Sequence, residues 1–170
     1  MSELILITGG QRSGKSSFGQ NLAEKKSRYP VFLATARSWD DDFKARIARH
    51  QEDRGSNWKT IEEEKDLGKL DLTGETVLLD CITLWLTNIF HDNAYDPELT
   101  LQEAKKEWGK LVAKDCTLIV ISNEIGMGVH AETESSRKFA DIQGWMNQQI
   151  ASEADEVYLM VSGIPVKIKP

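Results

Sequence analysis

The chain has 170 residues, of which 40 % are hydrophobic and 28 % charged, proportions that are ordinary for a globular protein with one buried core. Its formal net charge of −6 argues against a broad basic surface for nucleic acid. No apolar run approaches the ~20 residues that cross a bilayer, and the amino terminus lacks the pattern of a signal peptide. We therefore expect a cytoplasmic protein with a single domain over residues 1–170 and no membrane insertion.

Short apolar runs alternate with helical patterns along most of the chain. Runs that are apolar without clean alternation are typical of strands buried on both faces of a parallel sheet. Strands alternating with helices predict an α/β fold with right-handed crossovers and helices on both faces of the sheet. The predicted strands are Leu4–Thr8, Val31–Thr35, Thr76–Asp80, Leu118–Ser122 and Val157–Val161, and the predicted helices are Lys15–Lys26, Asp41–Arg54, Leu101–Val112 and Ser136–Ala154.

The end of the chain has a different pattern. The turn-forming residues 162–165, Ser-Gly-Ile-Pro, separate the last of these strands from the short run Val166–Lys169. Two strands joined in this way predict a hairpin, which would add an antiparallel edge strand to a mostly parallel sheet.

The turn between the first strand and the first helix is rich in glycine and contains a lysine. It matches the pattern G-x-x-x-x-G-K-[ST], and it follows a strand and opens a helix, which is the context that this motif requires. Glycines let the backbone wrap around a phosphate chain, while N–H groups at the helix start supply positive potential. In such a phosphate-binding loop, or P-loop, the lysine reaches the β- and γ-phosphates and the final hydroxyl can bind Mg²⁺. The matching residues are Gly9, Gly10, Gln11, Arg12, Ser13, Gly14, Lys15 and Ser16.

A P-loop needs an acidic partner at the end of a neighbouring strand. Asp80 ends the run Thr-Val-Leu-Leu-Asp, and Glu124 follows the strand that ends near Ser122. Ligands of open α/β sheets bind at the carboxyl ends of the strands, which is where both acids are expected. Asp80 is the better candidate for a metal ligand, whereas the role of Glu124 is left open.

The segment Asp41–Arg54 combines apolar and basic residues. At helical spacing, Phe43, Ile47, His50 and Arg54 fall on one face, which is half apolar and half basic. A neutral imidazole among arginines can attack phosphorus and form a phosphoramidate. The same pattern also suits a histidine at the rim of a packed helix, so this segment alone leaves both interpretations open.

The remaining reactive side chains have simpler explanations. Cys81 and Cys116 lie within apolar runs and are interpreted as buried, reduced thiols, since no Cys or His spacing indicates zinc. His91 and His130 are interpreted as solvated loop residues, and no further role is assigned to them.

Together, these segments resemble the bifunctional adenosylcobinamide kinase / adenosylcobinamide-phosphate guanylyltransferase family of cobalamin biosynthesis, over nearly the whole chain. The P-loop is common to many families, whereas the histidine-containing segment followed by Asn-Glu-Ile-Gly is more specific. The segments that carry the resemblance are Thr8–Ser16, Leu33–Ala36, Arg46–Ile47 with His50 and Arg54, Trp58–Thr60 with Glu62, Leu79–Thr83 with Thr87–Asn88, Asn123–Gly128, Arg137–Asp141 with Gly144 and Asn147–Gln148, and Val161–Lys167.

This resemblance implies a RecA-like P-loop fold, a homotrimer and two reactions at one nucleotide site. ATP or GTP phosphorylates the aminopropanol hydroxyl of adenosylcobinamide, and GTP then guanylylates a histidine that passes GMP to the new phosphate, giving adenosylcobinamide-GDP. By position, His50 matches that histidine. Beyond the P-loop, the resemblance implies nucleotide contacts at Thr35, Ala36, Arg37, Gln51, Glu52, Asp53, Arg54, Glu62 and Asp80.

Two other functions are compatible with a P-loop. One is a small-molecule kinase without a covalent intermediate, and the other is a binding module in which ATP or GTP switches a partner surface. Neither of them requires His50 among arginines. Retention of the α-phosphate of GTP on the protein would therefore indicate the guanylylated histidine and exclude both alternatives.

Overall fold

The computed structural model describes residues 2–37 and 55–170. Within these ranges, seven strands form one sheet, which is flanked by four α-helices and one 3₁₀ turn. The strands are β1 Glu3–Gly9, β2 Val31–Ala34, β3 Lys59–Glu62, β4 Thr76–Asp80, β5 Thr117–Ile121, β6 Glu156–Val161 and β7 Ile164–Lys169; the helices are α1 Lys15–Lys26, α2 Ile82–Asp92, α3 Pro97–Val112 and α4 Glu134–Glu153, and the 3₁₀ turn is Leu67–Lys69.

The sheet is mostly parallel. Its strand order is β3-β2-β4-β5-β1-β6-β7, and among these strands the pair β6–β7 is antiparallel while the other neighbouring pairs are parallel. The prediction of a parallel α/β sheet with an antiparallel hairpin at the carboxyl end is therefore confirmed. In this order β1, which carries the glycine-rich turn, lies beside β5 and one strand away from β4.

Both faces of the sheet are covered, as the continuous apolar strands predict. Leu6 of β1 packs into a cluster with side chains of α2, α3 and α4, whereas its neighbours Ile5 and Ile7 pack into a second cluster with α1. Helix α1 lies so close to the sheet that a Cβ added at Gly19 would be 2.8 Å from a methyl carbon of Leu78. This close packing fixes the start of α1, and with it the glycine-rich turn, against the carboxyl ends of the central strands.

The observed strands and helices agree with the predicted ones to within four residues at each end, and one strand and one helix are added. Strand β3 was not predicted because Lys59–Glu62 is a short, largely exposed edge strand with little apolar content. Helix α2 was also not predicted, although its buried residues Ile82, Trp85, Leu86 and Ile89 recur at helical spacing. The predicted helix Asp41–Arg54 lies outside the described residues. In the described part of the chain, no helix combines the length and the hydropathy needed to cross a membrane.

Candidate nucleotide-binding site

The glycine-rich turn forms a backbone cradle at the start of α1. Gly14 directly precedes the helix with φ of 95°, a left-handed conformation that suits glycine. Since Gly14 has no side chain that could cap the helix, the N–H groups of the first turn remain available to an anion. The turn, Asp80 and Asn123 line a cavity of about 360 Å³ at the carboxyl edge of the sheet.

Lys15 is held inside this cradle. Its ammonium group donates a hydrogen bond of 2.5 Å to the carbonyl of Gly10 and lies 3.4 Å from the hydroxyl of Ser13. The residue is only 7 % exposed. Burial lowers the pKa of Lys15, and the negative charge of Asp80 offsets this only in part. An incoming phosphate would supply the missing negative charge, so the site favours an anion of high charge density.

Ser16 and Asp80 form the second polar part of the cradle. The hydroxyl of Ser16 donates a hydrogen bond of 2.9 Å to Oδ2 of Asp80, at the end of β4. A hydroxyl and a carboxylate oxygen are ligands that Mg²⁺ accepts beside phosphate oxygens. Residues 2–37 and 55–170 contain no cluster of three or more His, Cys, Asp or Glu side chains that could bind a metal ion by themselves. The Ser16–Asp80 pair therefore fits a cation that is shared with a bound phosphate.

Thr35, which directly follows β2, fixes the peptide after Asp80 by two hydrogen bonds. The hydroxyl of Thr35 donates to the carbonyl of Cys81 at 2.8 Å and accepts from the N–H of Cys81 at 3.0 Å. Asn88 of α2 in turn donates to the carbonyl of Thr35 at 2.7 Å. Thr35 is fully buried, so its side chain fixes the end of β4 and has no exposed hydroxyl to offer a nucleotide.

Arg37, which was predicted to contact nucleotide, lies in an ion-pair network. Its guanidinium donates two hydrogen bonds to Asp92, at 2.8 and 3.0 Å, and one to Glu64 at 2.6 Å. Lys65 extends the network, since its ammonium group lies 3.2 Å from both Asp92 and Glu103. The hydrogen bonds from Arg37 hold the pKa of Asp92 well below its usual range, and those to Asp92 and Glu64 raise the pKa of Arg37. The network fixes the chain where it leaves β2.

The terminal hairpin closes one side of the glycine-rich turn. The N–H of Gly163 donates a hydrogen bond of 2.9 Å to the carbonyl of Ser13. A Cβ added at Gly14 would be 3.1 Å from Cα of Gly163, and one at Gly9 would be 2.7 Å from the carbonyl oxygen of Met160. The turn is therefore in van der Waals contact with β6 and with the β6–β7 turn, which sequence analysis did not detect.

The opposite side is formed by the end of β5. Ser122 is completely buried, donates to Oδ1 of Asn147 at 2.6 Å and accepts from Gln143 at 2.8 Å. Asn147 also donates to the carbonyl of Asn123 at 3.1 Å, and the N–H of Glu124 donates to the carbonyl of Gly9 at 3.0 Å. These bonds tie α4 and the segment after β5 to the glycine-rich turn.

The predicted site residues thus divide into four groups. The P-loop residues and Asp80 lie together in one cradle, while Thr35, Ala36 and Arg37 follow β2 at the same edge of the sheet. Glu62 ends β3, two strands beyond β4 and hence about 10 Å along the sheet. The remaining predicted residues lie outside the described part of the chain: His50, Gln51, Glu52, Asp53 and Arg54.

This fold and this cradle define a P-loop nucleotide-binding protein. Residues 5–168 match the family model described as cobinamide kinase / cobinamide phosphate guanyltransferase. The chain is also 38 % identical to the bifunctional adenosylcobalamin biosynthesis protein CobU of Escherichia coli K12, covering 98 % of this chain and 99 % of the relative. The chain therefore belongs to the cobinamide kinase / cobinamide phosphate guanyltransferase family, and it is a transferase.

Two further relatives agree with this assignment. The protein of the same name from Salmonella typhimurium LT2 is 36 % identical over 98 % of this chain and 99 % of the relative. The bifunctional adenosylcobalamin biosynthesis protein CobP of Pseudomonas aeruginosa PAO1 is 36 % identical over 96 % of both chains.

Among solved structures, a protein of Pyrococcus horikoshii OT3 has a similar fold. It is 8 % identical, with a TM-score of 0.51 over 98 % of this chain and 86 % of its own. At this identity the likeness concerns the fold alone.

Proposed function

We propose that this chain, as a single domain, uses one nucleotide site for two successive transfers to adenosylcobinamide. The first phosphorylates the aminopropanol hydroxyl with ATP or GTP, and the second transfers GMP from GTP through His50. The product is adenosylcobinamide-GDP. Family membership supports both transfers, and the cradle formed by Lys15, Ser16 and Asp80 supports a triphosphate as the common donor.

In the kinase step, the acceptor hydroxyl oxygen attacks the γ-phosphorus and the bond to the bridging oxygen breaks. The hydroxyl proton is released, and the nucleoside diphosphate leaves with the negative charge. The N–H groups at the start of α1 and the ammonium group of Lys15 stabilise that charge. Ser16 and Asp80 would hold Mg²⁺, which neutralises phosphate charge when it is bound.

In the guanylyl step, a neutral imidazole nitrogen of His50 attacks the α-phosphorus of GTP and pyrophosphate leaves. A phosphate oxygen of the corrinoid then attacks the same phosphorus, and the P–N bond breaks to release the imidazole. A covalent intermediate lets the pyrophosphate leave before the large acceptor phosphate must approach. His50 is assigned from the sequence, by its place among arginines and by its match to the family.

The observation that carries the proposal is the hydrogen bond between Ser16 and Asp80 beside the buried Lys15. It supports a triphosphate site in a chain whose family transfers both a phosphoryl and a guanylyl group. Glu62 ends β3, on the side of the cradle away from the hairpin, and we assign its carboxylate to hydrogen bonds from the edge of the nucleotide base by its match to the family.

Labelled GTP tests the covalent step. We expect the protein incubated with GTP labelled at the α-phosphate to retain label that is acid-labile and alkali-stable, as a phosphoramidate is. The variant His50→Ala should lose this label and the formation of adenosylcobinamide-GDP, while it still phosphorylates adenosylcobinamide. His91→Ala, which removes an exposed histidine on α2, is the matched control and should retain the label.

The same experiment separates the other functions. A wild-type protein that phosphorylates adenosylcobinamide but never retains the α-label would be a kinase without a covalent intermediate. A protein that binds GTP and transfers neither group would be a binding module. Normal guanylyl transfer by His50→Ala would remove His50 from the mechanism.

We further propose that the chain is a cytoplasmic homotrimer that binds no nucleic acid. The face of β7 that carries Ile164, Val166 and Ile168 is exposed, with side chains 44 to 65 % accessible, and such an apolar face suits a contact between subunits. The net charge of −6 disfavours nucleic acid. Sedimentation equilibrium of the purified protein tests the trimer, and a monomer at micromolar concentration would contradict it.

A further inference from the structure

The segment between β5 and α4 exposes three apolar side chains at alternate positions. Ile125, Met127 and Val129 are 40, 79 and 97 % exposed. A cluster of exposed apolar side chains often marks a binding surface. We call residues 125–131, together with the facing turns of α4, the β5–α4 surface.

This surface is concave and has a polar rim. It encloses a cavity of about 330 Å³, and His130, Arg137 and Asp141 contribute polar groups to its lining. Arg137 donates hydrogen bonds to the carbonyls of Ala131 and Glu132, at 3.0 and 2.7 Å, and so fixes the end of the segment against α4. Ile125, Val129, Ala131 and Ala140 supply the apolar part of the same lining. Apolar side chains with a few polar groups are the usual lining of a site for an organic ligand.

The β5–α4 surface directly follows, in the chain, residues that contact the phosphate cradle. Asn123 lines the phosphate cavity, and the next residue, Glu124, donates its N–H to the carbonyl of Gly9. A molecule lying on the surface could therefore extend one end into the cradle. On the other side of the P-loop, the bond from Gly163 to Ser13 brings the hairpin against the turn. A bulky acceptor accordingly has more room on the β5 side.

The acceptor of the proposed reactions has two parts. A short arm carries the reacting hydroxyl or phosphate, and a broad corrin ring has apolar faces and amide side chains. We propose that the β5–α4 surface binds the corrin ring of the acceptor while the arm reaches the phosphate cradle past Asn123. The inference depends on the proposed function for the identity of the acceptor, but it concerns where the ring binds and not how the groups are transferred.

Charge on the apolar part of the lining tests the inference. In the double variant Ile125→Asp/Val129→Asp, which changes two apolar residues of the lining, we expect the dissociation constant and the KM for cobinamide to rise at least about tenfold, because two carboxylates would have to lose water against the ring. GTP affinity and retention of the α-label without corrinoid should stay within about twofold. Cobinamide absorbs visible light, so equilibrium dialysis measures its binding directly, without turnover.

Two matched variants control for general effects. Ile125→Leu/Val129→Ile keeps the lining apolar and should keep the wild-type affinity for cobinamide. Tyr29→Asp adds a carboxylate at another exposed residue, 60 % accessible, which precedes β2 and so lies at the opposite edge of the sheet. It should change neither cobinamide nor GTP binding.

The outcomes distinguish this inference from the proposed function. Unchanged cobinamide affinity in the double aspartate variant overturns the inference, whatever the labelling result. A wild-type protein that binds cobinamide, loses this affinity in the double variant and never retains the α-label supports the inference while contradicting the covalent step. A wild-type protein that does not bind cobinamide, with or without GTP, overturns both.

Discussion

The hydroxyl of Ser16 donates a hydrogen bond of 2.9 Å to the carboxylate of Asp80, although the two residues are 64 positions apart. Ser16 lies in the first turn of α1 and Asp80 at the end of β4, and β5 separates β4 from β1 in the sheet. The site therefore assembles only when three strands are in register. The hydrogen bond also brings together the hydroxyl and the carboxylate that would bind the same cation.

Asp80→Asn should remove activity without unfolding the protein. An amide oxygen can still accept the hydrogen bond from Ser16, but the charge that attracts a cation and favours the protonated form of Lys15 is lost. We expect kcat of both transfers to fall about 10²-fold or more, by analogy with loss of one transition-state contact. Steady-state assays over a range of Mg²⁺ concentrations measure this change.

The control for this variant is Asp66→Asn, at an exposed aspartate that pairs only loosely with Lys69, at 3.4 Å. It should leave both rates unchanged. If Asp80→Asn retained wild-type rates at low Mg²⁺ concentration, Asp80 would not be a cation ligand.

Gly14→Ala should damage the phosphate cradle. Alanine is strained at φ of 95°, and its Cβ would lie 3.1 Å from Cα of Gly163, a backbone atom that cannot move aside easily. We expect nucleotide affinity to fall at least about tenfold and the free energy of unfolding to drop by about 1 to 3 kcal/mol. Isothermal titration with GTP and urea denaturation measure the two effects.

Gly109→Ala is the matched glycine variant. Gly109 lies on the exposed face of α3, and nothing lies within 4 Å of a Cβ added there. It should stabilise the protein by about 0.5 to 1 kcal/mol, through helix propensity, and leave GTP binding unchanged. Equal loss of GTP affinity in both variants would show that Gly14 has no special role.

The parts of this site that could be predicted from sequence are those with a local signal. The P-loop is contiguous, and Asp80 is recognised because it ends an apolar strand. The covering of both faces of the sheet also follows from strands that lack alternation. These features depend on residues close together in the chain or on the period of one element.

The parts that could not be predicted depend on long-range contacts. Arg37 pairs with Glu64 and Asp92, which are 27 and 55 positions away, and no pattern of charges along the chain indicates such a network. The hydrogen bonds of the buried Thr35 hydroxyl were equally unpredictable, because its partner Cys81 becomes a neighbour only through the pairing of β2 with β4. The assignment of Thr35 and Arg37 to nucleotide contacts came from resemblance, and their side chains also have these structural roles.

Cys81 should be unreactive in the folded protein. Burial raises the pKa of its thiol to about 12, so at pH 8 only about one molecule in ten thousand carries the thiolate. We expect alkylation of Cys81 by iodoacetamide to be on the order of a thousandfold slower than that of a free cysteine, and to become fast in urea. Peptide mass spectrometry measures the modified fraction at each cysteine, and rapid labelling of native Cys81 would contradict its burial.

Asp92→Asn should reveal the contribution of the Arg37 network to stability and its dependence on pH. Because the hydrogen bonds from Arg37 lower the pKa of Asp92 in the folded protein, the ion pair contributes its full stability above the ordinary aspartate pKa of about 4. The contribution is lost as the pH falls from there through the lowered pKa. Both side chains are partly exposed, so we expect a difference of only about 1 kcal/mol at pH 7.

Urea denaturation from pH 7 to pH 2.5 measures the difference in the free energy of unfolding between wild type and Asp92→Asn. This difference should be constant from pH 7 to about pH 5 and shrink below about pH 4. Asp66→Asn serves as the control, because loss of this carboxylate leaves the hydrogen bonds to Arg37 intact. It should change the free energy of unfolding less than Asp92→Asn does. A difference that grows on acidification would mean that Asp92 is destabilised by its surroundings, contrary to the two hydrogen bonds that it accepts from Arg37.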